Sequence, residues 1–241
     1  MKKVNELRDS GRDHKMGYRE QQYDSIIVSK SKKQFQLGSM INDAFEHDSK
    51  RLTFTFARYK FVSKMLMGRK EVLEIGCGDG FASKIVIDVV RELHLTDFDP
   101  LFVTETKKFY EGQPHVTVFQ HDFTEGPISA KYDGIFALDV LEHIPPNNER
   151  DFLQNICRSL VKHGVCILGL PSLESQVYAS EKSKQGHVNC KSGEDLAGLL
   201  KNFFNNVFIF SMNDELIHTG FSPMAHYLLA LCVSPINDHR E

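Results

Sequence analysis

Between Val72 and Leu170 the chain alternates short Val-, Ile- and Leu-rich runs with longer stretches whose apolar residues recur at helical spacing. The runs Val72–Ile75, Leu93–Asp97, Val116–Phe119, Tyr132–Leu138 and Val165–Leu170 predict strands. Phe81–Val90, Leu101–Tyr110 and Glu149–Val161 predict helices among them. A strand that is apolar without alternation must be covered on both faces, and parallel pairing needs a crossover that a helix supplies. The pattern therefore commits the chain to an α/β fold with a mostly parallel sheet. Beyond Leu170 the rhythm loosens through the polar stretch Pro171 to Glu194. It returns with a helix at Glu194–Phe203 and strands at Val207–Phe210 and Tyr227–Val233, so seven strands are expected.

Ahead of this region, Ile41, Ala44, Phe45, Leu52, Phe56, Tyr59, Val62 and Leu66 follow one another at mixed three- and four-residue spacings. That predicts one or two amphipathic helices, broken near Asp48-Ser49 and ended by Gly68. Residues 1–36 are polar and charged and read as an arm and candidate lid, leaving 37–241 as the domain. With 241 residues, 41% of them hydrophobic, one large core can be filled without covalent staples. A formal charge of −3 advertises no basic face, which argues against a general nucleic-acid partner. The five cysteines (Cys77, Cys157, Cys166, Cys190, Cys232) are odd in number and never spaced C-x-x-C. They suggest reduced thiols in a cytoplasmic protein, not a disulfide framework or a zinc site. No apolar run reaches membrane-spanning length and the N-terminal lysines precede no apolar stretch, so neither a membrane partner nor a secretory leader is expected. Oligomeric state leaves no trace in the sequence.

The strongest local signal is Val72-Leu73-Glu74-Ile75-Gly76-Cys77-Gly78-Asp79-Gly80-Phe81. A strand delivers the chain to a glycine turn that opens a helix, the place where open α/β sheets bind ligands. Glycine supplies positive φ and lets a ligand approach the main chain. The dinucleotide fingerprint G-x-G-x-x-G fails at Phe81, and no Lys-Ser/Thr pair follows to make a P-loop. Acidic Glu74 and Asp79 beside the turn suit a ligand carrying positive charge rather than phosphate.

At this point the sequence resembles the class I S-adenosylmethionine-dependent methyltransferases, and the likeness runs through successive strand ends. Glu74-x-Gly76-x-Gly78-x-Gly80 looks like their first motif, and Asp97, with Asp99 a near alternative, sits where the family's acid meets the ribose. His121-Asp122-Phe123 is similar to the segment that contacts the adenine, its aromatic lying against the ring. Leu138-Asp139-Val140-Leu141-Glu142-His143-Ile144-Pro145 resembles the signature beside the methionine end. The resemblance implies a Rossmann-like, doubly wound sheet with helices on both faces and an antiparallel last strand. It implies S-adenosylmethionine as cofactor, S-adenosylhomocysteine as product, and a cofactor site made of Glu74, Gly76, Cys77, Gly78, Gly80, Asp97, Phe98, Asp122, Phe123, Leu138 and Asp139. Acidic residues also cap helices and end strands, which is the competing reading of Asp97 and Asp122.

Methyl transfer to a hydroxyl or protonated amine also requires removal of a proton. His143 and His187 are the candidate bases, with His218 third, because imidazole titrates near neutrality. Some relatives hold a divalent cation in an acidic-x-x-Glu-His cluster with a later histidine. The matching set here is Asp139, Glu142, His143 and His187, with a shorter acid in the first place. The expected acceptor is a small molecule methylated on oxygen or nitrogen: a sugar, nucleotide-sugar, quinone precursor or specialised metabolite. A metal-dependent enzyme acting on an RNA end and an inactive cofactor-binding or regulatory protein are the alternatives. Pro171–Glu194, with Tyr178, Lys182 and Lys184, is long enough to be a lid. Arg58-Tyr59 stands where it could reach the cofactor carboxylate, but an Arg58 facing outward from its helix is the preferred expectation.

Overall fold

The computed structural model describes residues 37–236, together with Gln22; the rest of the 1–36 arm expected from the sequence, and residues 237–241, lie outside the described residues. From Leu37 onward the chain forms one compact unit. Its strands are β1 (Glu71–Ile75), β2 (Glu92–Asp97), β3 (Val116–Gln120), β4 (Tyr132–Leu138), β5 (Leu160–Pro171), β6 (Phe204–Asn213), β7 (Leu216–His218) and β8 (Tyr227–Pro235). The helices are α1 (Ser39–His47), α2 (Ser49–Met65), α3 (Lys84–Ile87), α4 (Pro100–Phe109), α5 (Pro146–Ser159), α6 (Glu181–Gly186) and α7 (Gly193–Leu200).

One sheet joins all eight strands in the order β3-β2-β1-β4-β5-β8-β6-β7. The first five pair in parallel, and β8 runs antiparallel to both β5 and β6. The expected seven become eight because Leu216–His218 turns back on the end of β6 as a short edge strand. Strand order reverses between β1 and β4, which pair directly, Ile75 beside Ala137. Their carboxyl ends therefore open a crevice at the topological switch point.

Both faces of the sheet are apolar, which is why the strands read as near-continuous hydrophobic runs. Leu73, Ile75, Ile135, Ala137, Leu168 and Leu170 pack with Phe152, Ile156, Leu196 and Leu200 of α5 and α7. Val72, Phe136, Val165 and Ile167 face the other way, against Val62 of α2, Leu66 just after it, and Val86 of α3. The break between α1 and α2 falls on Asp48, at φ −151° and ψ 73°, where the sequence expected it. One helix is much shorter than predicted. Of Phe81–Val90 only Lys84–Ile87 is helical, because Gly68 N–H bonds Val89 O and Glu92 N–H bonds Lys70 O, turning the chain back into β2.

Candidate active site

The glycine turn follows β1 and is fixed from below by the backbone of β2. Gly76 and Cys77 N–H both donate to Thr96 O (2.8 and 3.0 Å), and Gly78 N–H donates to Asp97 Oδ2 (3.0 Å). Gly76, Gly78 and Gly80 all have positive φ, at 74°, 54° and 68°. Their surroundings differ. A Cβ on Gly76 would strike Val140 Cγ2 at 2.3 Å, and one on Gly80 would meet Thr106 Cγ2 at 2.7 Å. On Gly78 it would meet only the tip of the flexible Met40 side chain, so this glycine faces a cavity.

That cavity has a volume of about 520 Å³. Gly76, Cys77, Gly78, Leu138, Asp139, Glu142, His143 and His187 line it from the domain, and Met40, Ile41, Arg51, Thr55, Arg58 and Tyr59 close it from α1 and α2. The roof is tied down by acids. Asp79, buried, accepts from Ile41 N–H at 2.9 Å and from Phe81 N–H at 3.1 Å, while Glu105 accepts from Ser39 N–H and Oγ. Glu74 lies beneath the turn without lining the cavity. It accepts from Tyr59 Oη at 2.5 Å, and burial pushes its carboxyl up to about 8.

Asp139, just after β4, lies in the left-handed region, φ 57°, and its Oδ2 accepts from Arg58 at 2.7 Å. The expectation of an outward Arg58 is overturned. Its side chain is only 14% exposed, and its guanidinium lies 3.7 Å from the centre of the Tyr227 ring. Burial opposes its charge, but Asp139, Tyr227 and Glu142 outweigh that and push its pKa up. The sequence did carry a signal: Arg51, Thr55 and Arg58 extend, at spacings of four and three, the stripe that continues into buried Val62 and Leu66.

On the other side of Asp139 the chain forms a single 3-10 turn, Leu141–His143. Glu142 is fully buried, and neither carboxylate oxygen has a hydrogen-bond partner among the described residues. Burial, with Asp139 adding, pushes this carboxyl well above the usual range, while Arg58 pulls it back. His143 Nδ1 lies 2.8 Å from Gly186 O, an oxygen that only accepts, so Nδ1 carries the proton. Gln176 donates its amide to Ser172 O, which turns its oxygen toward His187 Nδ1 at 2.8 Å and fixes the same tautomer there. Each neutral imidazole keeps an Nε2 lone pair. One ring nitrogen of each histidine and a Glu142 oxygen all lie within 4.8 Å of one another, His143 Nε2 being 4.0 Å from Glu142 Oε1, with the rings 5.3 Å apart. Burial, then the neighbouring His143, lowers the pKa of His187, while Asp139 raises it.

Other expected site residues sit elsewhere. Asp139 is turned to Arg58 and does not join the Glu142–His143–His187 group. Asp97 uses its second oxygen on Asp99 N–H, and Asp99 caps α4 through Leu101 N–H. Phe98 is 70% exposed on the rim. Asp122 accepts from Thr124 N–H and Oγ1, and Phe123 is buried in the core against Phe152 rather than offering a ring face. Gly80 packs on α4, its carbonyl accepting from Tyr110 Oη. His218 spends both nitrogens, on Asn213 and on Gly220 N–H, away from the cavity. The Pro171–Glu194 segment is ordered into a 3-10 turn (Glu174–Tyr178) and α6, held at its ends by Leu173 N–H to Lys191 O. Its Tyr178 points to solvent, 91% exposed, and Lys184 pairs with Glu181.

Residues 72–164 match the methyltransferase domain family. That stretch, under half of the chain, is similar to methyltransferase domains. Over 123 residues, 49% of its length, the chain is 28% identical to a probable S-adenosylmethionine-dependent methyltransferase of Mycobacterium tuberculosis, covering 43% of that protein. The chain thus spans under half the length of the curated relative. Two solved structures share the domain's fold. The N-methyltransferase NodS of Bradyrhizobium japonicum, in complex with S-adenosylhomocysteine, has a TM-score of 0.58 at 17% identity, over 75% of this chain and 86% of that one. A putative methyltransferase of Haloferax volcanii, solved with the activator Trm112, has 0.64 at 15% identity, over 82% and 96%. The family match begins after α1 and α2, so the residues that roof the cavity, Arg58 among them, lie outside it.

Proposed function

We propose that the protein binds S-adenosylmethionine in the cavity above Gly78 and transfers its methyl group to an oxygen or nitrogen of a small molecule. The observation that carries the reading is the juxtaposition, at the switch point of the sheet, of an open glycine turn with two imidazoles holding unspent lone pairs. The cavity fits the cofactor chemically: the space over Gly78 would be filled by a side chain there, and Asp139 and Asp79 line it with the acidic groups a sulfonium favours. Gly76, Gly78, Leu138 and Asp139 would hold the cofactor, which when bound supplies an electrophilic methyl group. Asp97, Phe98, Asp122 and Phe123 contribute in other ways. The two aspartates brace the loops around the adenosine end, and a role for Phe98 against the ring requires it to turn in from the rim.

The chain's own task is alignment and proton removal. Both imidazoles are fixed with Nε2 directed away from their Nδ1 anchors, and the lowered pKa of His187 keeps it neutral near pH 7, ready to accept a proton. A cavity of this volume lies within the roughly 300–1,000 Å³ range of small-ligand sites. The test is incubation of the protein with methyl-labelled S-adenosylmethionine and a metabolite panel, followed by mass spectrometry. Label on a hydroxyl- or amine-bearing metabolite is the expected result. Label only on RNA ends, or cofactor binding with no product from any acceptor, would overturn it.

One observation favours a second reading of the acceptor side. Glu142, His143 and His187 offer a carboxylate oxygen and two imidazole nitrogens within 4.8 Å, the make-up of a three-ligand divalent cation site with open positions. These three residues would hold the cation, and it would supply Lewis-acid activation of the acceptor oxygen. Exhaustive chelation that abolishes transfer, with recovery on adding Mg²⁺, Mn²⁺ or Zn²⁺, supports this reading; full activity in chelator removes it.

A further inference from the structure

The cavity changes character from floor to mouth. Its floor is the glycine turn with Leu138 and Asp139 at the strand ends. α2 ends at Met65, shortly before β1 begins, so its first residues stand out beyond the carboxyl ends of the strands. Arg58 meets Asp139 at the level of those ends. Arg51, two turns earlier on the same helix, lies about 10 Å further out, with Thr55 one turn below it, and both line the cavity. Ser180 and Ser183, from the segment whose Gly186 holds His143, line it too.

What sets this wall apart is that its donors are unspent. Among the described residues the Arg51 guanidinium makes no hydrogen bond and no ion pair. Asp48 is near in the chain, yet the two meet only through the backbone, Arg51 N–H to Asp48 O at 3.0 Å. The other hydroxyls of α2 turn back on their own helix, Thr53 to Lys50 O and Ser63 to Lys60 O, both at 2.8 Å. The Thr55 hydroxyl has no such partner among the described residues and stands in the cavity wall.

We infer that the methyl acceptor is an acidic molecule, and that Arg51 with Thr55 holds its carboxylate or phosphate at the mouth while the atom to be methylated reaches down to the histidines. This rests on reading the cavity as the site of methyl transfer. A planar guanidinium offers paired N–H donors that match two oxygens of either anion, and a hydroxyl one turn below on the same face adds a third donor. An acceptor seated in the mouth takes this wall out of water. A neutral one would cover the guanidinium and leave it unpaired, whereas an acidic one neutralises it. Asp48, Ser180 and Ser183 give further hydroxyls of the acceptor their partners, and an aliphatic tail would find none there. Among small acceptors the wall therefore selects sugar acids and phosphorylated sugars over apolar quinone precursors, and α2, outside the family match, supplies the selecting residue.

The experiment has two arms, both on the whole chain. In the first, inorganic phosphate is titrated calorimetrically into the protein loaded with S-adenosylhomocysteine. The wild-type protein should bind it, Arg51→Met should weaken it by at least about tenfold, and Arg51→Lys should keep part of the affinity. In the second, methyl-labelled S-adenosylmethionine is offered with matched acceptors, each neutral hydroxyl compound beside its carboxylate and phosphate counterparts. Label should fall on the acidic members, and which of the two kinds takes it distinguishes carboxylate from phosphate. Arg51→Met should raise the KM of the labelled acid by roughly 10- to 100-fold, with kcat and the affinity for S-adenosylhomocysteine unchanged. A general loss of structure would move all three. Phosphate that fails to bind the wild type or binds Arg51→Met equally well, or label taken as readily by the neutral members, would overturn the inference. If no acceptor takes label, it is the methyl-transfer reading that fails, and the phosphate arm still decides this one.

Discussion

The two halves of the cavity are built differently. On the glycine-turn side the aspartates are already spent, although Glu74 Oε2 beneath the turn is buried without a partner among the described residues: Asp97 holds Gly78 and Asp99, Asp79 holds Ile41 and Phe81, and Asp122 holds Thr124. On the histidine side the unspent groups gather. The Glu142 carboxylate has no hydrogen-bond partner, His143 and His187 are anchored through Nδ1, and Tyr227 Oη and Arg58 Nε are buried without a partner among the described residues. A buried polar group left unpaired costs stability, of order 1–3 kcal/mol each, and persists where something else gains from it. The difference teaches that one half of the site is scaffold and the other is chemistry.

Substitutions should therefore separate cleanly. The largest effect is expected at the one glycine that faces the cavity. Gly78→Leu fills the donor's space and should weaken S-adenosylhomocysteine at least 100-fold by calorimetry; affinity kept within threefold would mean the donor lies elsewhere. Next come the unspent groups. His143→Ala and Glu142→Gln should each cut turnover of the acceptor found by the labelling screen by about 10²–10³-fold, with S-adenosylhomocysteine affinity unchanged. Glu142→Gln should also leave the melting temperature equal or higher, since it removes a buried carboxyl. A fall in melting temperature with turnover intact would make Glu142 scaffold after all.

The scaffold half should answer in stability. Asp79→Ala unties α1 from the turn and should cost about 1–2 kcal/mol, lowering the melting temperature by roughly 2–8 °C. The smallest effect is a slope. Glu74 has its pKa raised from 4.5 to about 8 in the fold. Unfolded, it ionises first, so the stability it allows is fully present below about pH 4.5 and is lost progressively toward pH 8. Glu74→Gln should flatten the fall of melting temperature across that window, by at most about 1.4 kcal/mol per pH unit. An identical slope in the variant would place the titration elsewhere.

The alternation of apolar runs made the parallel sheet, both its faces and the position of the glycine turn legible before any coordinates, because burial on both sides leaves an unbroken hydrophobic record in Leu73, Ile135 and Ile167. Less legible was anything set by tertiary contact. Phe81–Val90 has the composition of a helix, yet bonds from Gly68 and to Lys70 pull it into turns. Phe123 follows an acidic residue at a strand end in the expected place, but which way such a ring points depends on Phe152 two elements later. Asp139, Glu142 and His143 were grouped by spacing alone, and the positive φ of Asp139 splits them, sending its carboxylate to Arg58 and leaving the others with His187.

The central claim is that the space above Gly78 is built for an adenosyl sulfur compound. Titrating the wild-type protein with S-adenosylhomocysteine, with NAD as the control, tests it most directly. Binding near one molecule per chain with a micromolar dissociation constant, and no heat from NAD, is the predicted result; heat from NAD and none from S-adenosylhomocysteine would contradict it.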